Sequence, residues 1–232
     1  MSKPAKLAVT ITGKERVWGL LYLLAELFLL PSALQALNKL LPAPLSDSWL
    51  NILYFALNFI FVCAIFRDFL KRNLKKAGQN VEDFLLVTAG GFGFYYLCNL
   101  AISLVIGYLA PDFANLNDGS IAQQASGNFA VMAIGTVVLV PVAEELLHRG
   151  LVFGSLYAIN PALAYILSAA FFSVIHILGY LGKYSPLHLA LAFLQYLPAG
   201  LVLAWAYRKS GSIFSSITIH AAVNAVAILA LR

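Results

Sequence analysis

Apolar runs long enough to span a bilayer alternate along this chain with short polar breaks. A spanning α-helix needs about 20 consecutive, mostly apolar residues, and several runs here meet that length with few or no charges. The first covers about Val17 to Leu30 and stops at Pro31, where an amphipathic connection begins. The others cover about Trp49 to Phe66, Phe84 to Leu109, Phe129 to Tyr157, Pro161 to Leu181, Leu187 to Tyr207 and Ile213 to Leu231. Gly90, Gly91 and Gly93 in the third run leave room for a neighbouring helix to approach closely. No internal repeat, low-complexity tract or soluble domain interrupts the pattern. It predicts an all-α, polytopic transmembrane bundle of seven or eight helices around an intramembrane polar cavity, one membrane domain over residues 1–232.

Composition strengthens that reading. The chain is 61% hydrophobic and 11% charged, with a mean hydropathy of +0.85, whereas soluble domains carry about 25% charged residues. The net charge of +5 is distributed as a membrane protein distributes it. Arg67, Lys71, Arg72, Lys75 and Lys76 crowd one short loop, and Lys3, Lys6, Lys14 and Arg16 precede the first run. Basic clusters beside span ends mark the cytoplasmic side. Arg208 and Lys209 fall on that side too, and Arg232 on the other. The stretch "PDFANLNDGSIAQQASGN" holds no basic residue, as an outer segment should. No basic stripe interleaved with aromatics is present, so nucleic acid is not the expected partner. The lipid bilayer is, and the expected location is the cell membrane, multi-pass. The run "VWGLLYLLAELFLLPSA" lacks a good small-x-small cleavage site and reads as a retained span, not a signal peptide. Cys63 and Cys98 lie inside apolar runs, where they read as small hydrophobes and not as a disulfide or metal pair.

The candidate chemistry lies in the few polar groups at depth: Glu26, Glu144, Glu145, His148, Arg149, His176, His220 and Asn224. Ionisable groups in a membrane are costly and mark function by default. In "LVPVAEELLHRGLVFG" Glu144 and His148 are four apart, as are Glu145 and Arg149, so each pair stacks on its own side of a helix. Glu145 and Arg149 form an ion pair in the favourable order and read as a staple between helices. Glu144 then has no obligatory partner. Glu144 lies 16 residues before Asn160, a helix cap, and His176 lies 16 residues after it. In an antiparallel hairpin both would sit about 24 Å from the turn, provided the first helix stays continuous through Gly150. His220 and Asn224 share one face of the last run, roughly 16 to 22 Å beyond Lys209. A carboxylate, two imidazoles and an amide can thus converge. A carboxylate beside a histidine can take a proton from water, and His and Asn side chains can donate to a developing oxyanion. Hydrolysis of an acyl group, most simply a peptide bond, fits that set.

The motifs "EELLHR", "FSVIH" and "HAAVN", in this order on late helices, resemble the CAAX protease and bacteriocin-processing family. These are intramembrane glutamate proteases of the Rce1 type, and the resemblance covers about residues 130 to 230. It implies that Glu144 and His176 activate water while His220 and Asn224 stabilise the oxyanion. Phe172 opens the second motif, and Glu145 and Arg149 complete the first. The implied division is N-terminal transmembrane helices over 1–128 and a CAAX-protease-like core over 129–232. The implied substrate is a peptide or membrane protein, prenylated or not, with no cofactor and no metal assigned. One position departs from the family pattern: His148 stands where an aromatic or apolar residue is usual. One turn from Glu144, it can tune that group or join a Glu-His-His set. No H-E-x-x-H is present, but Glu144, His176 and His220 are zinc-ligand types, so a zinc-dependent protease stays open. So does a non-catalytic bacteriocin-immunity or scaffold protein, although that reading expects decay of a motif residue. A proton-coupled transporter expects repeated halves, which the chain lacks. His188 matches no motif and is expected at the interface. Glu26 stands alone in its span, with only a packing contact to suggest.

Overall fold

Thr12 begins the first helix with a capping box. Its hydroxyl accepts from the Glu15 amide at 3.2 Å, and the Glu15 carboxylate accepts from the Thr12 amide at 2.6 Å. The structure is a computed structural model that describes residues 7–230; Lys3, Lys6 and Arg232 lie outside the described residues. Helix α1 (Gly13–Phe28) bends by 49° into α2 (Leu30–Leu40), whose first turn holds Pro31. The chain continues through α3 (Asp47–Ile65), α4 (Arg67–Gln79), α5 (Val81–Leu109) and α6 (Leu116–Gly127). It ends with α7 (Phe129–Tyr157), α8 (Pro161–Leu178), α9 (Pro186–Ser210) and α10 (Ile213–Ala230). Among the described residues there is no strand. Helices α3, α5, α7, α8, α9 and α10 are each long and apolar enough to cross a membrane, and the bent α1–α2 pair makes up to a seventh span. This is a polytopic helical membrane protein.

Two segments expected as connections are helical. The basic loop is α4, which buries Phe69 and Asn73 while Lys71 and Lys75 stay exposed. Asn73 ties it to the α9–α10 turn: Ile213 N donates to Asn73 Oδ1 at 2.9 Å, and Ser212 Oγ to the Asn73 carbonyl at 3.0 Å. The outer polar stretch contains α6, whose Ile121 and Ala125, one turn apart, pack with Met132 and Ile228. Both helices hide inside polar sequence because only one narrow face is apolar.

Side-chain ties define the two ends of the bundle. At one end Arg72 pairs with Glu15 at 2.7 Å, and the Tyr207 hydroxyl donates to the Val9 carbonyl at 2.6 Å. At the other, Ser48 Oγ donates to the Gln124 carbonyl at 3.1 Å, and the Asn115 amide donates to Gln195 at 2.8 Å. Of Gly90, Gly91 and Gly93 in α5, only Gly91 is needed for close approach. A Cβ there would lie 2.6 Å from Ile219 Cδ1, whereas Gly90 and Gly93 face open space. A tighter contact joins α8 and α9, where a Cβ on Gly200 would lie 2.6 Å from the Ala169 Cα. Helix α7 does run unbroken through Gly150, but Gly135–Leu139 and Leu146–Phe153 are wound as π-helix. Such segments are rare and concentrate at functional sites.

Candidate active site

The π winding at Gly135–Leu139 leaves one carbonyl without a helical partner. Val140 N donates to the Gly135 carbonyl, and Pro141 has no N–H to offer. The Thr136 carbonyl accepts instead from Asn224 Nδ2 on α10, at 2.9 Å. One amide hydrogen of Asn224 is thereby used to seat the side chain, and the second remains available. Together with Glu144, Phe172, His176 and His220, Asn224 lines a cavity of ≈ 1180 Å³.

Glu144 Oε2 stands at the centre of this group, 3.9 Å from Nε2 of His176 and 3.9 Å from Nε2 of His220. That oxygen is buried and accepts no hydrogen bond from the protein. Each imidazole is fixed from behind. His176 Nδ1 meets the Phe172 carbonyl at 2.8 Å. A carbonyl only accepts, so this nitrogen carries the hydrogen and Nε2 of the neutral ring presents its lone pair. His220 Nδ1 meets Glu145 Oε1 at 2.9 Å, which assigns the same tautomer. Three acceptors therefore converge on one gap, spaced so that a water fits between them and no direct bond does. Among the described residues, no group of three His, Cys, Asp or Glu side chains is set to hold a metal ion as it stands.

Glu145 does more than staple two helices. Its Oε1 accepts from Arg149 Nη1 at 2.9 Å as well as from His220, and both Glu145 and Arg149 are fully buried. Arg149 Nη2 donates to the Ala199 and Gly200 carbonyls, both at 3.3 Å. Its guanidinium lies 4.3 Å from the Phe172 ring centre, a cation–π contact. Phe172 is a common plate for the site, with the His176 ring 4.4 Å away and the His220 ring 6.0 Å away. Its place in the motif thus has a packing reason.

His148 does not meet Glu144. It is buried between Phe171 and Phe172 at ring distances of 5.5 and 5.2 Å. Glu145 and Arg149, with the same four-residue spacing, do meet, so spacing alone did not decide which pair forms. His188 lies outside the site, half-buried, with Nε2 3.1 Å from the Ala114 carbonyl and its ring on Phe113. Glu26 accepts from the Tyr54 hydroxyl at 2.6 Å, and Tyr54 lines the cavity. Sequence reasoning missed Tyr54 and also Tyr196, whose ring stacks on His176 at 4.3 Å. Aromatic residues in apolar runs look alike whether they pack or line a site, so nothing in the sequence singled these two out.

Comparison with known proteins gives two matches. Residues 126–226 match the family described as "Type II CAAX prenyl endopeptidase Rce1-like". The UPF0177 protein YxdF of Lactococcus lactis subsp. lactis (strain IL1403) is 30% identical over 87 residues, 38% of this chain and 42% of that protein. The match therefore spans less than half of this relative's length. No solved structure matches the chain. Glu144, Phe172, His176, His220 and Asn224 all fall within the matched stretch, and over residues 126–226 the chain is similar to the Rce1-like family.

Proposed function

We propose that the chain is an intramembrane endopeptidase that hydrolyses a peptide bond with a water activated by Glu144. The single observation that carries this reading is the 3.9 Å separation of Glu144 Oε2 from both His Nε2 atoms, inside the cavity. A water between Glu144 and His176 gives its proton to the carboxylate as its oxygen attacks the peptide carbonyl. The carbonyl oxygen gains the charge. The second N–H of Asn224 donates to it, and His220, held through Nδ1 by Glu145, stands beside it. The proton held by Glu144 passes to the departing amine, and the tetrahedral intermediate collapses to acid and amine.

In this reading residues 129–232 form the catalytic core and residues 1–128 supply the surrounding helices. Similarity of residues 126–226 to a family described as endopeptidases supports the reaction class. The test compares new peptide termini in membranes carrying the wild-type chain with those carrying Glu144→Gln. Products present in the first and absent from the second are expected. Identical sets of termini would sink the proposal.

A further inference from the structure

The cavity has a direction, and the charges of the chain give that direction a side. Among the described residues, α4 carries five Lys or Arg, the start of α1 two and the end of α9 two. Arg72–Glu15, Tyr207–Val9 and Asn73–Ile213 contacts bring these three segments to one end of the bundle. The opposite end has Lys39 and Lys183 alone. A nine-to-two excess beside the span ends assigns the basic end to the cytoplasm.

The cavity runs the other way. From Glu144 its lining reaches Ser46 and Asp47 at the start of α3, Asn117 in α6 and Lys183 beyond α8. No residue of α1, of α4 or of the basic end of α9 lines it. Its wall is rich in amides, among them Gln35, Asn51, Asn99, Asn117, Gln124 and Gln195. An amide side chain offers a donor and an acceptor with no net charge. A wall of them suits a ligand that alternates donors and acceptors along its length, as an extended peptide backbone does.

We infer that the site is loaded from the non-cytoplasmic face of the membrane, and that its substrate is an uncharged, extended peptide segment presented on that face. The substrate half rests on the hydrolytic reading above; the route does not.

Impermeant-maleimide labelling tests the route. In full-length protein with Cys63→Ala and Cys98→Ala, single cysteines are placed at Asn117, at the mouth, and at Ala227, one turn outward from Asn224 on the cavity wall. Lys75→Cys on the exposed face of α4 reports orientation. Asn117→Cys and Ala227→Cys should label in right-side-out membrane vesicles and stay unlabelled in inverted ones, with Lys75→Cys showing the reverse. Labelling of either cavity variant in inverted vesicles, or of both in neither preparation, would overturn the route. For the substrate, Glu144-dependent cuts should map to uncharged stretches on the non-cytoplasmic side of cellular proteins. Cuts confined to cytoplasmic segments would overturn the substrate assignment and leave the peptidase standing. No Glu144-dependent cut at all would remove the peptidase and the substrate assignment together, while labelling still decides the route.

Discussion

Glu145 reaches from α7 to α10 and accepts from Nδ1 of His220 at 2.9 Å, so the ring's other nitrogen is turned toward the cavity. The same oxygen takes the Arg149 guanidinium. Removing that cation leaves a fully buried carboxylate without its counter-charge, which costs about 3–5 kcal/mol. Arg149→Ala is therefore expected to lower folded yield and thermal stability in detergent. If it were fully stable yet inactive, Arg149 would join the groups that act on the reaction itself.

The central carboxylate has a different signature. Glu144→Gln keeps the shape of the side chain and removes its ability to accept a proton. It should abolish Glu144-dependent cleavage in membranes while folded yield stays at the wild-type level. His176→Ala should be as inactive, and the double variant no worse than either, because groups acting as one unit do not add. Independent, additive losses would separate the two roles.

Asn224 should behave more mildly. Loss of one oxyanion donor typically costs about 10²–10³ in rate, so Asn224→Ala should keep measurable turnover. Its hydrogen bond to the Thr136 carbonyl adds a readout. Removing it leaves that carbonyl unpaired and should speed hydrogen exchange around Gly135–Leu139.

Metal dependence separates the water-activating carboxylate from a zinc site built on the same side chains. Activity is expected to persist after dialysis against a strong chelator. Loss of activity, restored by zinc and by no other addition, would recast Glu144, His176 and His220 as ligands.

Gly200 supports the site through backbone spacing. Because a Cβ would fall 2.6 Å from the Ala169 Cα, Gly200→Ala must push α8 and α9 apart at a cost of about 1–3 kcal/mol. The same shift moves the carbonyls that hold Arg149. Reduced thermal stability is expected together with reduced cleavage. Wild-type values for both would show that the helices part freely.

The spans were legible because long apolar runs with few charges have one physical solution in a bilayer. Helices α4 and α6 were not: the five Lys or Arg of α4 drew attention away from its apolar face, and α6 has almost no apolar periodicity. The Glu145–Arg149 pair followed from its spacing. Its second partner, His220, lies 75 residues away, and no local pattern encodes that contact. The same spacing did not bring His148 to Glu144; it packs on Phe171 and Phe172, rings on α8 that no local pattern ties to it. Tyr54 and Tyr196 were hidden by their ordinariness.

The π-wound stretch Leu146–Phe153 also sets the phase of α7. Each residue there turns less about the helix axis than an α residue does, so the stretch acts as a gear between two faces. On one side Glu144 and Glu145 address His220; on the other Phe153 and Tyr157 join the core around Tyr207. Rewound as α-helix, the same residues could satisfy one face only. The length of this segment is thus as much a part of the site as its side chains. A one-residue deletion within Leu146–Phe153 amounts to a rotation, which no substitution at Glu144 or His220 can reverse.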